Sequence, residues 1–305
     1  MVLTYEGHDI TQYVSIARCI CRDVSCGRAD SMELEFHHAA AWYQWKPKVD
    51  DTISASLDGF STGKMYLNAI QPEGDRIRMI ATSLPSAARR RTWAAYRDMT
   101  METIMRRCAA EFGLEAALYG VDGTMRYSFM LREYEGGAAF LDRLGQMEGI
   151  AVKAVNGKIR GISVAYAQGL DPVKTLYIDT DRDNVIHTRQ ENQKYSTLTV
   201  LTPKARVVAQ DSGAAYGNAI TITGLNAMNA AQAGRWARGI LLMHNRQQER
   251  LVMKIPYTPS MCAMQRVDVN GTTDANGAWI VDEAEQDLIG RSTAIRLLRV
   301  INTIR

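Results

Sequence analysis

Residues 127–164 read YSFMLREYEGGAAFLDRLGQMEGIAVKAVNGKIRGISV, and this stretch determines the fold that the sequence predicts. Apolar residues recur every three to four positions between 136 and 148, which predicts one amphipathic helix, and Gly149 supplies its end. Ahead of the helix, Tyr127–Leu131 has the composition of a strand. The stretch therefore begins as a strand followed by a helix.

The second half of the stretch predicts a hairpin. Ile150–Val155 and Lys158–Ala165 have the pattern of strands, and Asn156-Gly157 between them is a strong signal for a two-residue turn. Upstream, Thr100–Phe112 repeats the helical period and starts with a residue type that caps helices. Residues 86–168 are therefore predicted to form a compact α+β domain.

The first 85 residues show a different pattern, in which apolar and polar residues alternate. An alternation with period two places one face of a strand on a core. Pairs such as Glu6-Gly7 and Asp58-Gly59 separate the runs and favour turns. Several short strands at this spacing predict a first antiparallel β-barrel at residues 1–85. The clearest alternating runs are Ser31–His37, Thr52–Asp58, Lys64–Ile70 and Arg76–Ala81.

Residues 169–305 predict a second β-barrel preceded by a helix. Asn226–Asn245 carries an alanine-rich apolar face at helical spacing, and alternating runs resume after it. The polar segment Asp179–Asn184 is interpreted as a linker or crossing point. In an alternative arrangement, the first barrel takes strands from about 170–210. The predicted fold class is thus α+β and β-rich, with two small antiparallel β-barrels and an intervening α+β domain.

Composition and charge favour an ordered protein whose partners are other proteins. Hydrophobic residues make up 46% and charged residues 23% of the chain, close to ordinary globular values. The 36 basic and 33 acidic residues give a formal charge of +3, too small for wholesale binding to nucleic acid or to a membrane surface. The N-terminus lacks a basic region followed by an apolar run, and no apolar run reaches about 18 residues. We therefore expect assembly in the cytoplasm, with no signal peptide and no membrane partner.

Three of the five cysteines, Cys19, Cys21 and Cys26, are the candidate metal ligands of the sequence. Cys19 and Cys21 are two residues apart in a predicted strand and so lie on one face. Zinc sites usually take four ligands from two short segments, and no second segment of that kind occurs in the sequence. Cys108 or Cys262 would have to complete the site from afar. We favour the interpretation of reduced, buried thiols, and we predict no metal and no cofactor.

Trp42, Tyr43 and Trp45 form an aromatic group in a predicted loop. Aromatic side chains on exposed loops are typical anchors of protein interfaces. We therefore expect these three residues to contact a neighbouring subunit.

Arg89, Arg90 and Arg91 precede Trp93 and Tyr96, and cations among aromatic rings suit single-stranded nucleic acid. The near balance of charge over the whole chain favours an interfacial segment instead. A nucleic-acid-binding barrel protein that uses the segment from Arg89 to Tyr96 stands as the alternative function.

Residues for catalysis are sparse in this sequence. The chain has no nucleophile elbow and no phosphate-binding loop. Asp282, Glu283 and Glu285 are carboxylates that a hydrolase would use for acid and base chemistry, but carboxylates at this spacing are also ordinary surface charges. We predict a protein that is not an enzyme.

Residues 127–164 resemble the phage late control D family, the baseplate hub proteins of contractile tails, which also occur in phage-derived bacteriocins and related injection systems. The resemblance is carried by a strand, the polar turn Arg132–Gly136, the helix segment Ala139–Leu144, then Glu148–Ile150 and the Asn156-Gly157 hairpin. The opening residues 6–14 resemble the first hairpin of the family. Residues 277–281 resemble its closing strands.

The resemblance implies a structural protein of the virion or of a tail-like particle. Members of this family form a homotrimer in which two barrels per subunit alternate in a pseudo-sixfold ring. Such a ring adapts a hexameric tail tube protein to a trimeric central spike protein, with tape-measure and baseplate wedge proteins as further partners. A task of this kind is geometric and requires no chemistry and no specific nucleic acid.

Overall fold

The structure is a computed structural model and describes residues 1–178, 184–271 and 274–305. The linker predicted at 179–184 falls on 179–183, outside the described residues, apart from its last position. The helices are α1 (Ala40–Trp45), α2 (Met101–Glu111), α3 (Gly137–Glu148), α4 (Val164–Gly169) and α5 (Ala230–Asn245). The strands are β1 (Val2–Tyr5), β2 (His8–Asp9), β3 (Ser15–Val24), β4 (Ser31–His37), β5 (Thr52–Leu57), β6 (Phe60–Ser61), β7 (Met65–Glu73), β8 (Arg76–Thr82), β9 (Arg91–Thr100), β10 (Glu115–Tyr119), β11 (Arg126–Gly136), β12 (Ile150–Val155), β13 (Lys158–Ser163), β14 (Thr175–Tyr177), β15 (Val185–Arg189), β16 (Thr197–Thr202), β17 (Ala205–Gln210), β18 (Ala219–Ile222), β19 (Glu249–Pro256), β20 (Arg266–Asn270), β21 (Gly277–Asp287) and β22 (Ser292–Arg299).

The largest sheet has 14 strands and contains both the first strand of the chain, β1, and the last, β22. Its main path runs β15-β19-β22-β21-β3-β4-β8-β7-β5-β1-β2, and β14, β20 and β6 pair beside that path. We name β1–β8 the N-terminal β-region, and β14, β15 and β19–β22 the C-terminal β-region. The protein is a β-rich α+β fold, as the sequence predicts.

The two β-regions do not form two separate closed barrels. Among the described strands, the pairings follow an open path, and one junction joins the two halves of the sheet. At that junction β21 pairs antiparallel with β3, from Glu283 opposite Val24 to Asp287 opposite Ile20. Both strands are ten residues or longer, so each can pair with a strand of its own region and still extend to the other. The prediction of independent barrels is corrected to two β-regions that share one sheet.

A central region consists of β9–β13 and β16–β18 with α2–α5, and β14 and β15 of the C-terminal β-region interrupt it in sequence. The sheet β10-β13-β12, the ribbon of β9 and β11, and the sheet β17-β16-β18 pack around the helices. Their core combines Phe140 and Leu141 of α3 with Trp236 and Leu241 of α5. Residues before and after position 168 therefore contribute to the same core, while the predicted domain limits of 1–85, 86–168 and 169–305 stay a prediction.

Local signals predict most helices correctly. The side chain of Thr100 accepts a hydrogen bond from the amide of Thr103 and starts α2, and Gly149 ends α3 in the left-handed conformation. The helix predicted from Asn226 begins four residues later, because the side chain of Asn229 provides its N-cap. The strand predicted to end at Ala165 stops at Ser163, whose hydroxyl caps the short helix α4. No helix in the described part of the chain is long and apolar enough to span a membrane.

Candidate functional site

A two-stranded ribbon of β9 and β11 presents the most exposed pair of contacting aromatic rings. Their register shifts between Arg132 and Glu135, which is a β-bulge, and Tyr134 within the bulge has a φ of +47°. The ring of Tyr134 lies 6.4 Å from that of Trp93 on β9, and the two residues are 58% and 66% exposed. Rings with this exposure bury large apolar area when a partner covers them, so they are candidates for an interface.

The bulge rests on a buried arginine. Arg132 is 1% exposed, and its guanidinium donates to the carbonyl oxygens of Glu135 and Arg90 at 3.0 and 3.1 Å. The same guanidinium pairs with the carboxylate of Glu111 on α2 at 2.6 Å. These three contacts tie the bulge to the residue before β9 and to α2, and a buried guanidinium that lost them would be strongly unfavourable. The exposed rings therefore stand on a rigid base.

The three predicted arginines lie beside this aromatic pair. Their side chains are exposed, and Arg91 pairs with Gly136 across the ribbon. Arg89 donates to the side-chain oxygen of Asn68 on β7. A cleft of about 530 Å³ is lined by Arg89, Arg91 and Tyr134 together with α3 residues. We call Arg89, Arg91, Trp93 and Tyr134 the ribbon surface.

Sequence reasoning missed Tyr134, although it lies in the polar turn that carries the resemblance. Its exposure results from the bulge, and the bulge depends on Arg132 reaching Glu111, 21 residues away. The available signal is a tyrosine between two glutamates, which indicates a surface position without indicating a partner ring. The pairing of β9 with β11 was the missing information.

The aromatic group at 42–45 lies in a helix instead of a loop, and its largest ring points inward. Trp42 is 1% exposed, with its ring 4.8 Å from Phe36 and 5.4 Å from Tyr5. Trp45 is half-buried and stacks on the ring of Tyr5 at 6.3 Å. Only Tyr43, which is 50% exposed, faces away from these contacts. The expectation for Trp42 is wrong because a large ring at this position fills the core of the N-terminal β-region.

Tyr96 is also buried, which removes one ring from the nucleic-acid alternative. It is 3% exposed, and its ring stacks on Phe140 of α3 with 5.0 Å between centroids. Its hydroxyl lies 3.2 Å from the sulfur of Cys108. Alternate positions of β9 face opposite sides, so Trp93 points outward while Tyr96 points to the core. A single exposed ring among the arginines is a poor platform for stacking successive bases.

The structure does not bring the three candidate metal ligands together. Cys19 and Cys21 are buried in the core of the N-terminal β-region, whereas Cys26 packs on a separate small cluster with Ile162 and Leu242. A hydrogen bond to Cys19 and burial raise the pKa of the Cys21 thiol well above its ordinary value. Within the ranges that the structure describes, no group of three or more potential ligands has the geometry for a metal ion.

The carboxylates considered for catalysis form ion pairs around the β3–β21 junction. Asp282 is buried and pairs with Arg296 at 2.7 Å and with the buried Arg246 at 3.5 Å. Glu283 pairs with Arg28 at 2.5 Å. Glu285 accepts from Arg22 on the neighbouring strand at 2.7 Å, a cross-strand pair of opposite charge. Glu283 and Glu285 thus link the two β-regions, and the carboxylate of Asp282 reaches the N-terminal β-region by accepting from the hydroxyl of Ser25.

A buried charge cluster lies where all three regions meet. Lys153 on β12 forms a short ion pair with Asp23 on β3 and approaches Asp30 at 3.7 Å. The second oxygen of Asp23 accepts from the amide of Ala263 at 3.0 Å, and Asp30 accepts from the amide of Val24 at 2.9 Å. Burial raises the pKa of Asp30 to about 7, despite the adjacent ammonium. Burial by itself lowers the pKa of Lys153. The carboxylates of Asp30 and Asp23 have the larger combined effect, so the pKa of the amine is raised above its ordinary value.

Glu148, the last residue of α3, links the family-like stretch to α5. Its side chain is 1% exposed and accepts from the indole of Trp236 at 2.8 Å and from the hydroxyl of Tyr127 at 3.0 Å. Arg235 adds a charged donor at 3.1 Å. One carboxylate thus joins a strand and two helices. The conspicuous Glu148-Gly149 of the sequence is explained by packing in the central core.

Comparison with known proteins gives matches at the level of structure. The chain matches no protein-family model, and no curated protein sequence matches it. Among solved structures it is similar to the 43 kDa tail protein of prophage MuSo2 from Shewanella oneidensis, with a TM-score of 0.76 and 13% identity over 98% of both chains. It is also similar to a tail protein from Neisseria meningitidis MC58, with a TM-score of 0.74 and 13% identity over 98% of this chain and 95% of that one.

A third similar structure comes from a secretion system. The c3393 protein of E. coli, a component of the type VI secretion system, gives a TM-score of 0.61 at 12% identity, over 98% of this chain and 76% of that one. That protein is described as structurally similar to the T4 bacteriophage tail proteins gp27 and gp5. Identities this low establish a likeness of fold. The chain therefore has the fold of these phage tail and type VI secretion proteins.

Proposed function

We propose that this chain is a structural baseplate hub of a contractile phage tail or tail-like particle, and that it has no enzymatic role. The observation that carries the proposal is the likeness to a prophage tail protein over 98% of both chains. The ion pairing of Asp282, Glu283 and Glu285 supports it, since carboxylates engaged with arginines are poor acids and bases for catalysis.

In this proposal three copies form a ring with pseudo-sixfold symmetry. Each chain contributes two β-regions held by the β3–β21 junction, so a trimer presents six β-regions around one axis. The ring adapts a hexameric tail tube to a trimeric central spike. Tape-measure and baseplate wedge proteins are further proposed partners, and the protein is located in the baseplate.

The subunit contacts of the ring are proposed to involve the ribbon surface. Trp93 and Tyr134 supply exposed apolar area on a rigid base, and interfaces are enriched in aromatic residues and arginine. Arg90, Tyr43 and the exposed edge of Trp45 are retained as further candidates. Trp42 is not, because it is buried within its own subunit.

The test of the ring is the mass of the purified chain in solution. We expect a trimer, and we expect the double variant Trp93→Ser, Tyr134→Ser to shift the population toward monomer by at least about tenfold in dissociation constant, because aromatic hot spots contribute about 2 kcal/mol or more each. Tyr13→Ser is the matched control, since Tyr13 is 70% exposed and lies in the N-terminal β-region. A chain that stays monomeric at high concentration would contradict the ring.

A second experiment tests the partners. Purified tail tube and spike proteins from the same genome are expected to bind the chain in a pull-down. Single-stranded DNA is expected to give no salt-sensitive binding through Arg89–Tyr96. Salt-sensitive binding to DNA that is lost when Arg89 and Arg91 are changed to alanine would favour the nucleic-acid alternative instead.

A further inference from the structure

One strand edge in the central region has main-chain groups that find no partner among the residues the structure describes. β12 is the outer strand of the sheet β10-β13-β12. The amide of Val164 donates to the carbonyl of Gly149 at 3.0 Å. In an antiparallel pair, the neighbouring opposite residues, here Ile150 and Ser163, then form no hydrogen bonds with each other. By alternation, the amides and carbonyls of Val152 and Ala154 point away from β13.

These outward groups stay unpaired within the described residues. No described main-chain or side-chain hydrogen bond reaches the amide or carbonyl of Val152 or Ala154 from that side. Buried main-chain groups without partners are rare in proteins, because each one costs free energy. An open strand edge of this kind is a template for a further strand.

The open edge faces a cavity. A cleft of about 500 Å³ is lined by Val152, Lys153 and Ala154, and across it lie Ala139 of α3 and Gly27 of the β3–β4 turn. The side chains of Val152 and Ala154 lie on one face of the strand, and that of Lys153 lies on the opposite face. A cavity that is lined by all three residues must therefore extend along the open edge of β12. Its volume lies within the range of about 300–1,000 Å³ that is typical of ligand sites.

The charges around the cleft are mostly positive. Arg28, Arg89, Arg143 and Lys153 line it, against a single lining carboxylate, Asp142. Arg28, Arg143 and Lys153 have carboxylate partners of their own. Arg89 has the amide oxygen of Asn68 as its hydrogen-bond partner. Its full charge is therefore available to a bound anionic group at the mouth of the cleft.

We propose that this cleft binds an extended acidic segment of a partner protein, which pairs with β12 as a fourth strand. Main-chain hydrogen bonds to Val152 and Ala154 supply affinity, small apolar side chains of the segment enter the cleft, and a carboxylate of the segment meets Arg89. The site needs only one copy of the chain, although it shares Arg89 with the ribbon surface that is proposed for the ring.

The probe is a labelled hexapeptide of alternating glutamate and valine, tested on the full chain. We expect saturable binding, and we expect the amides of Val152 and Ala154 to exchange at least about tenfold more slowly with deuterium when the peptide is bound. Two control peptides follow: lysine in place of glutamate, expected to bind at least about fivefold more weakly, and N-methylation of alternate peptide bonds, expected to abolish binding.

Two variants locate the site without touching the core. Ala139 is exposed and lines the cleft, so Ala139→Trp is expected to block the peptide. Ala110→Trp on α2 is the matched control, because Ala110 is an exposed helical alanine that does not line the cleft. Arg89→Glu is expected to reverse the preference between the glutamate and lysine peptides.

Several results would overturn the proposal. These are absence of peptide binding to the full chain, equal binding by Ala139→Trp and Ala110→Trp, or binding that leaves the amides of Val152 and Ala154 unprotected. Since mass and peptide binding are measured separately, failure of the ring and failure of this site are distinguishable.

Discussion

Glu148 belongs to the stretch 127–164 that carries the sequence resemblance, and it also stabilises the central core. It is a buried carboxylate with donors from Tyr127, Trp236 and Arg235. Replacing it by alanine would leave these donors without their acceptor. We expect Glu148→Ala to lower the free energy of unfolding by about 3 kcal/mol or more, as for one partner removed from a buried charged network.

Glu148→Gln is the control for that prediction, measured in the same urea titration. The amide keeps the shape and the oxygen that accepts from Tyr127 and Trp236, and it loses the charge and the second acceptor oxygen opposite Arg235. We expect a smaller loss of about 1–2 kcal/mol. Equal losses for the two variants would mean that the ionic contact with Arg235, and not the hydrogen bonds from Tyr127 and Trp236, determines the contribution of this position.

Asp30 predicts a dependence of stability on pH. The folded state holds its proton up to pH about 7, whereas the unfolded state releases it near the ordinary pKa of 3.8. The folded chain therefore binds more protons between about pH 4 and 7, and this group lowers the free energy of unfolding as pH rises through that window, by up to about 1.4 kcal/mol per pH unit. Asp30→Asn is expected to remove this slope.

The measurement is urea unfolding of both proteins at pH 5, 6, 7 and 8. Asp171→Asn, at an exposed position, is the control and should follow the wild type. The advantage of Asp30→Asn over the wild type should grow from pH 5 to 7 and then level off. Parallel curves for Asp30→Asn and the wild type would show that Asp30 ionises with its ordinary pKa.

At the scale of elements, the sequence predicts helices and hairpins far better than the pairing of distant strands. α2 and α3 follow from apolar spacing, a cap and a terminal glycine, all of which are local. β9 was not predicted, because its arginines and exposed tryptophan do not alternate cleanly with apolar residues and, among the described strands, it pairs only with the distant β11. The ribbon surface was therefore predicted in part: its arginines and Trp93 were found from sequence, and Tyr134 was not.

The contact between α3 and α5 predicts opposite outcomes for two glycines of one helix. A Cβ at Gly239 would clash with the carbonyl oxygen of Met147 and lie 2.6 Å from the amide nitrogen of Gly149. A Cβ at Gly234 would have its nearest neighbour at 3.5 Å, an ordinary contact. We expect Gly239→Ala to destabilise by about 2 kcal/mol or more through overpacking against backbone.

Gly234→Ala is expected to stabilise by about 0.5–1 kcal/mol, because alanine favours the helix over glycine. Thermal unfolding of the two variants beside the wild type makes the comparison, with circular dichroism at 222 nm as the signal. If both substitutions changed the midpoint in the same direction, the close approach of α5 to the end of α3 would not be limiting.

On the scale of the whole molecule, the decisive feature is a strand pairing between residues about 260 positions apart. The sequence predicts two β-rich segments, but nothing local indicates that β3 and β21 pair. Burial on both sides of the junction and the ion pairs of Glu283 and Glu285 make that pairing specific. The sequence therefore predicts the strands of each region and not the single sheet that they share.

That shared sheet predicts cooperative unfolding of the two β-regions. Three buried tryptophans report on three cores: Trp42 on the N-terminal β-region, Trp279 on the C-terminal β-region and Trp236 on the central core. Opening either β-region exposes the edge of β3 or β21, so neither region gains by unfolding alone. In chain labelled with 5-fluorotryptophan, we expect the fluorine resonances of Trp42 and Trp279 to lose intensity at the same urea concentration. Loss of the Trp42 signal at clearly lower urea, with Trp279 still native, would mean that the junction does not couple the regions.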